Sequence, residues 1–241
     1  MSNKLERRLV IFCFVAHYLP GYKSGGPLRT IANFVEYFGE DFDIYIVTSD
    51  RDFQDNEPYS DVNFDTWNQV GAAKVFYVAV TPLNLITVMR LLRSSQYDVL
   101  YLNSFFSPFF TTIPLFLRKL GLVPNKPCVI APRGELSSGA LSLKSAKKKI
   151  FIAMTKVTGL YKNLWWQASS EHEKMDINKA LPYVRSESVH IAKNLAKIES
   201  TYDSHSQARC HKLEAGLHVC FLSRISPKKN LDFALHVLAQ V

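Results

Sequence analysis

Three short stretches of this 241-residue chain carry residue types suited to gripping an anion or a polyhydroxylated molecule. The first is LPGYKSGGPLRT, Leu19–Thr30. Gly25 and Gly26 have no side chain to hold another molecule away from the backbone, and Pro27 suits the first position of a helix. The unpaired N–H groups of a helix start, at the positive end of its dipole, attract negative charge. A plain strand-to-helix turn has the same composition, and the pair is not a G-x-G-x-x-G. The second stretch is APRGELSSGALS, Ala131–Ser142. Arg133 can hold a phosphate or carboxylate through two parallel N–H bonds, and Glu135 can accept a sugar hydroxyl. An Arg133–Glu135 surface pair of little energetic value is the alternative. The third is SRISPKKN, Ser223–Asn230, where Arg224 and Lys229, five residues apart, can grip one diphosphate from two sides. A solvated basic turn looks the same.

The histidines add little. His17 falls where the first apolar run ends, and His172 lies in a capped helix start facing solvent. H-E-x-x-H, G-x-S-x-G and G-x-x-x-x-G-K-[ST] do not occur, so zinc proteases, serine hydrolases and P-loop NTPases gain no support. Cys13, Cys128, Cys210 and Cys220 form no C-x-x-C, and three of them lie in apolar runs. They read as buried, reduced thiols, and no metal is expected.

The elements that must position these residues follow from hydrophobic period. Short apolar runs at 9–16, 42–49, 74–80, 97–103, 127–132, 163–169 and 188–194 read as strands. Helical period marks 27–38, 83–95, 109–121 (closed by Gly121) and the lysine-rich 144–162. Ser170 and Glu173 have capping-box spacing. Strands alternating with helices predict a parallel, doubly wound sheet of α/β class. Residues 49–71 are polar and aperiodic and read as a surface excursion. The basic start followed by Leu9–Ala16 mimics a signal peptide, but the run is short and reads as a buried strand. Phe105–Leu117 is too short to span a bilayer, which takes about 20 residues. Residues 1–195 therefore make one domain, 196–215 a linker, and 216–241 the opening βα unit of a second.

The net charge of +8 favours polyanionic partners without choosing among them. Lys147, Lys148 and Lys149 beside Phe151 make a candidate membrane-contact surface. An ordinary helix with a solvated lysine face is the alternative. Nucleic acid is not expected, because the basic residues lack interleaved aromatics and a known motif.

Together the glycine pair after the first strand, APRGELSSGALS, ASSEHEKMDI and FLSRISPKKNLDFALHVL resemble the retaining glycosyltransferases of family 4 across the whole chain. That resemblance implies a GT-B fold of two facing Rossmann-like domains. The first binds a glycan or lipid-linked acceptor, on which side Arg133, Gly134 and Glu135 fall. The second binds a nucleotide-sugar donor, whose diphosphate Arg224 and Lys229 would hold, with Gly25 and Gly26 across the cleft. Fixed cations would stabilise the leaving nucleotide, so no metal or other cofactor is implied. The family's glutamate pair would lie beyond Val241, and the chain alone is expected to be inactive. Where many members carry a histidine after the mid-domain strand, this chain has Arg133, Gly134 and Glu135, and Ser223 stands where a glycine usually precedes the arginine. Arg133 and Glu135 are accordingly only candidates for a catalytic role. The implied setting is the cytoplasm, at the inner face of the cell membrane, in surface polysaccharide or lipopolysaccharide synthesis. A GT-B nucleotide-sugar epimerase and a non-catalytic peripheral membrane or interaction module are the rival readings.

Overall fold

The computed structural model describes residues 7–143, 145–198, 219–221 and 229–240. The chain divides into two compact units, Met1–Ile198 and Glu199–Val241. In the first, eight strands form one sheet: β1 (Leu9–Val15), β2 (Phe42–Ser49), β3 (Trp67–Val70), β4 (Ala73–Val78), β5 (Val99–Asn103), β6 (Cys128–Ile130), β7 (Trp165–Ala168) and β8 (Val189–Ile191). Their order across the sheet is β3-β4-β2-β1-β5-β6-β7-β8. Every pairing is parallel except β3 with β4. The fold is a Rossmann-like, doubly wound α/β sheet.

The helices are α1 (Gly26–Phe38), α2 (Leu85–Ser94), α3 (Ile113–Lys119), α4 (Ser138–Ser142), α5 (Ser145–Thr158) and α6 (Glu171–Ala180). β1 shows how the sheet is covered. Successive side chains point to opposite faces, so Cys13 and Val15 pack with Ile31 and Val35 of α1. Phe12 and Phe14 lie on the other side, in the core cluster that also takes in Val88 of α2, Leu115 of α3 and Ile177 of α6. Phe12, Cys13 and Phe14 are all fully buried. A strand buried on both faces needs a continuous apolar run, which is what LVIFCFV supplies. Burying each such phenylalanine contributes roughly 1.5–3 kcal/mol.

Gly121 ends α3 as its period predicts. At φ 68° it lets its own N–H reach Arg118 O and that of Leu122 reach Leu117 O, at 3.1 and 3.0 Å. This pairs two carbonyls that the helix leaves free. The first turn of the expected 109–121 helix is instead a π-type turn, Pro108–Thr112. The polar excursion also differs from expectation at its end. Trp67–Val70 turns back through Gly71 (φ 58°) and pairs antiparallel with β4 as an edge strand.

In the second unit the described residues include α7 (Leu231–Leu238), preceded by Asn230 in the left-handed conformation at φ 51°. The strand of the βα unit expected over 216–241 is not seen at the described residues Val219–Phe221, and Cys220 there is exposed rather than buried. Cys13 and Cys128 are buried, and loss of solvation pushes both thiols up to about 12. They are inert packing groups. Among the described residues no helix is long and apolar enough to cross a membrane, and no cluster of histidine, cysteine or acidic side chains could hold a metal ion.

Candidate functional site

The chain leaves β1 towards β2 on one side, while β5, on its other side, continues the sheet towards β6. Between β1 and β5 the winding therefore reverses. In open α/β sheets the crevice at such a reversal, at the carboxyl ends of the strands, is where ligands bind. The loops that leave β1, β5 and β6 at this edge hold Gly25 and Gly26, Ser104, and Arg133 to Glu135 respectively.

The β1 loop is clamped from a distance. Asp52, almost fully buried, accepts from the backbone N–H groups of Tyr22 (2.7 Å), Lys23 (3.0 Å) and Phe53 (2.7 Å). Burial raises its pKa, but the three N–H donors outweigh this and hold the carboxyl below the ordinary aspartate range. Gly21 sits against this clamp: a Cβ there would lie 2.4 Å from Tyr59 Oη and 2.9 Å from Asp52 Cγ. Tyr77 adds a hydroxyl bond to Leu19 O at 2.6 Å. At the loop's end Gly25 has φ 77°, which L side chains rarely adopt. It opens α1 without a side-chain cap and with no acid in the first turn. Beside Gly26 there is open space, since a Cβ would meet nothing within 4 Å. Nothing in SDRDFQD suggests the role of Asp52, because two of its three main-chain donors, Tyr22 and Lys23, lie some thirty residues away.

Arg133 and Glu135 do not pair. Arg133 is itself in the left-handed conformation, at φ 56°, followed by Gly134 at φ 73°. A non-glycine residue held there costs of order 1–3 kcal/mol and persists only where its surroundings impose it. Here they do. Its Nη2 donates to Tyr101 Oη (2.5 Å) and Asn103 Oδ1 (2.7 Å), Nε to the same Asn103 oxygen (3.2 Å), and Nη1 to Asn194 Oδ1 (2.8 Å). Four of the five guanidinium protons are thus spent on neutral oxygens. Among the described residues no carboxylate comes within ion-pair distance of Arg133. Its charge is fixed in place and, among the described residues, is not neutralised by an acid. Tyr101 in turn donates to Gln167 Oε1 of β7, and Asn103 Nδ2 reaches Phe14 O of β1 at 3.4 Å, so the network joins three strands, β1, β5 and β7, to the loop that leaves β6.

Glu135 turns into the loop instead. One carboxylate oxygen accepts from Phe105 N (2.6 Å) and Phe106 N (3.1 Å), and both lie within reach of the Ser104 hydroxyl (2.9 and 3.0 Å). Burial pushes its carboxyl up, against the pull of these donors. Its oxygens are occupied by the protein, which ties the β6 loop to the β5 loop. Glu173 makes the next tie: its oxygens accept from Gly134 N (2.6 Å), Ser169 N (2.8 Å) and Ser169 Oγ (2.6 Å). The capping half of the Ser170–Glu173 pattern holds, with Ser170 Oγ accepting from Glu173 N at 3.2 Å. The carboxylate half extends further than local spacing predicts, to the neighbouring loop.

Lys229 is exposed, just before α7, and Arg224 lies outside the described residues. His172 is exposed, while His17 Nδ1 lies 3.2 Å from Arg51 O. Two of the four membrane-contact candidates are turned inward. Phe151 is half-buried, its ring 5.7 and 5.5 Å from those of Phe105 and Phe106. Lys148 donates to Ala140 O at 2.6 Å and lies over the Phe106 ring. Lys147 and Lys149 are exposed.

Fold and edge together define a doubly wound α/β domain with a fixed cation near its reversal point. Neither a family model nor a curated protein matches the chain.

Proposed function

We propose that this edge is the substrate-facing wall of a nucleotide-sugar-dependent, retaining glycosyltransferase of the family 4 type, which transfers a sugar to a glycan or lipid-linked acceptor in surface polysaccharide synthesis. The observation that carries the reading is Arg133. A guanidinium with no carboxylate partner among the described residues, held by four bonds to neutral oxygens on a strained backbone, is arranged for an anionic or strongly polar ligand rather than for an internal ion pair. The uncapped start of α1 adds main-chain donors on a loop leaving the same edge. In this reading Arg133 orients the substrate, Gly25 and Gly26 let the diphosphate approach the backbone, and Glu135 and Glu173 hold the loops. Arg224 and Lys229 supply the donor-phosphate contacts, and positive charge fixed around the leaving group does the work a metal would otherwise do.

The reading is tested by titrating the 241-residue chain with UDP-, GDP- and ADP-sugars, alongside its Arg133→Ala variant. One nucleotide class should be preferred, and the substitution should weaken it about tenfold or more, as loss of a charge-assisted contact of about 1.5–3 kcal/mol requires. Equal affinity for all three classes, unchanged by the substitution, would contradict it.

A further inference from the structure

We propose that the outer face of α5 is a docking surface for an anionic lipid bilayer. Residues 136–170 contain six lysines and no aspartate or glutamate, so this stretch carries six of the chain's eight net positive charges. A soluble helix facing water ordinarily presents polar residues there. α5 does the reverse. Its inward side is taken by Phe151, Ile152 and the buried Thr155. On its outward side Ile150 is 69% exposed, Met154 48% and Val157 88%. At about 100° per residue these three fall in one stripe, with Lys149 and Lys156 along one border and Lys147 along the other. All three lysines are exposed.

An apolar stripe bordered on both sides by long cationic stems is the form of a helix lying in a membrane interface. The apolar side chains enter the acyl boundary while the lysines reach outward to the headgroups. Charge complementarity selects the occupant. The absence of any acid from 136 to 170 favours an anionic surface over a protein partner of mixed charge. The apolar stripe favours a bilayer over a soluble polyanion, which has nothing to place there. The inference does not depend on sugar transfer, since it uses none of the residues at the carboxyl edge.

The test is co-sedimentation of the full chain with phosphatidylcholine vesicles, with and without phosphatidylglycerol. Vesicles containing phosphatidylglycerol should recover the protein, and pure phosphatidylcholine should not. Removing one lysine near the surface weakens such binding about fivefold, so Lys147→Glu, Lys149→Glu and Lys156→Glu combined should reduce it on the order of a hundredfold. Ile150→Ser, Met154→Ser and Val157→Ser combined should abolish the fraction that survives added salt. Because all six side chains are exposed, both variants should keep the parent's unfolding transition, which circular dichroism checks. Equal recovery on both vesicles, or recovery indifferent to both variants, would overturn the proposal. So would dextran sulfate binding as tight as vesicle binding, or a dimer that dissociates in the serine variant.

Discussion

Glu135→Ala should destabilise the first unit by about 2–4 kcal/mol, whereas Glu135→Gln should stay within about 1 kcal/mol of the parent. The alanine leaves the Ser104 hydroxyl and the Phe105 and Phe106 N–H groups without their acceptor, in a loop whose Phe105 is fully buried. Each donor stranded away from water costs roughly 1–3 kcal/mol. Glutamine keeps a carbonyl for the two N–H groups and offers its amide to Ser104 Oγ, which can accept as well as donate. The pH dependence separates this from a simple loss of packing. A carboxyl whose folded pKa is raised contributes stability below its unfolded pKa, and that contribution fades as pH rises through the folded value. The glutamine variant lacks this step, so it should gain on the parent between acid and neutral pH. Urea unfolding at several pH values measures it; an alanine variant as stable as the parent would show that the carboxylate holds nothing.

The second large effect is expected at Asp52, with the opposite pH signature. Asp52→Ala should cost about 3 kcal/mol, because three N–H groups lose a charged acceptor in a nearly closed site. Its folded pKa lies below the unfolded value, so its contribution is present above the ordinary aspartate pKa of about 3.9 and is lost as pH falls through the folded value. Asp52→Asn should remove that acid step and part of the stability. Amide hydrogen exchange at Tyr22 and Lys23 should accelerate in both variants. Unchanged protection there would mean that the clamp does not order the glycine loop.

Both residues show where sequence reasoning reaches its range. The buried strands were legible because parallel strands covered on both faces must be largely apolar, as the LVIFCFV of β1 is. α1 and the Gly121 terminus were legible because helical period and a left-handed cap are local properties. β3 was not, since WNQV has no alternation and its pairing depends on the turn at Gly71. Phe151 was misplaced because lysines and apolar residues intermix around α5, and only the packing of Phe105 and Phe106 shows which side is inward. The loops were recognisable as polar, glycine-containing segments after strands. The jobs of Asp52, Glu135 and Glu173 were not, because each is defined by main-chain donors on a neighbouring loop. Adjacency at a sheet edge is a property of strand order, and strand order is written nowhere in a single segment.

The carboxyl edge around β1, β5 and β6 is expected to receive an anionic ligand. Amide chemical-shift changes in the 241-residue chain on adding a nucleoside diphosphate would map this ligand. Shifts should concentrate at Gly25, Gly26, Gly134 and Asn194, and those at Gly134 and Asn194 should vanish in Arg133→Ala while Tyr22 and Lys23 stay protected. Shifts confined to the opposite edge of the sheet, or the same pattern in Arg133→Ala, would contradict it.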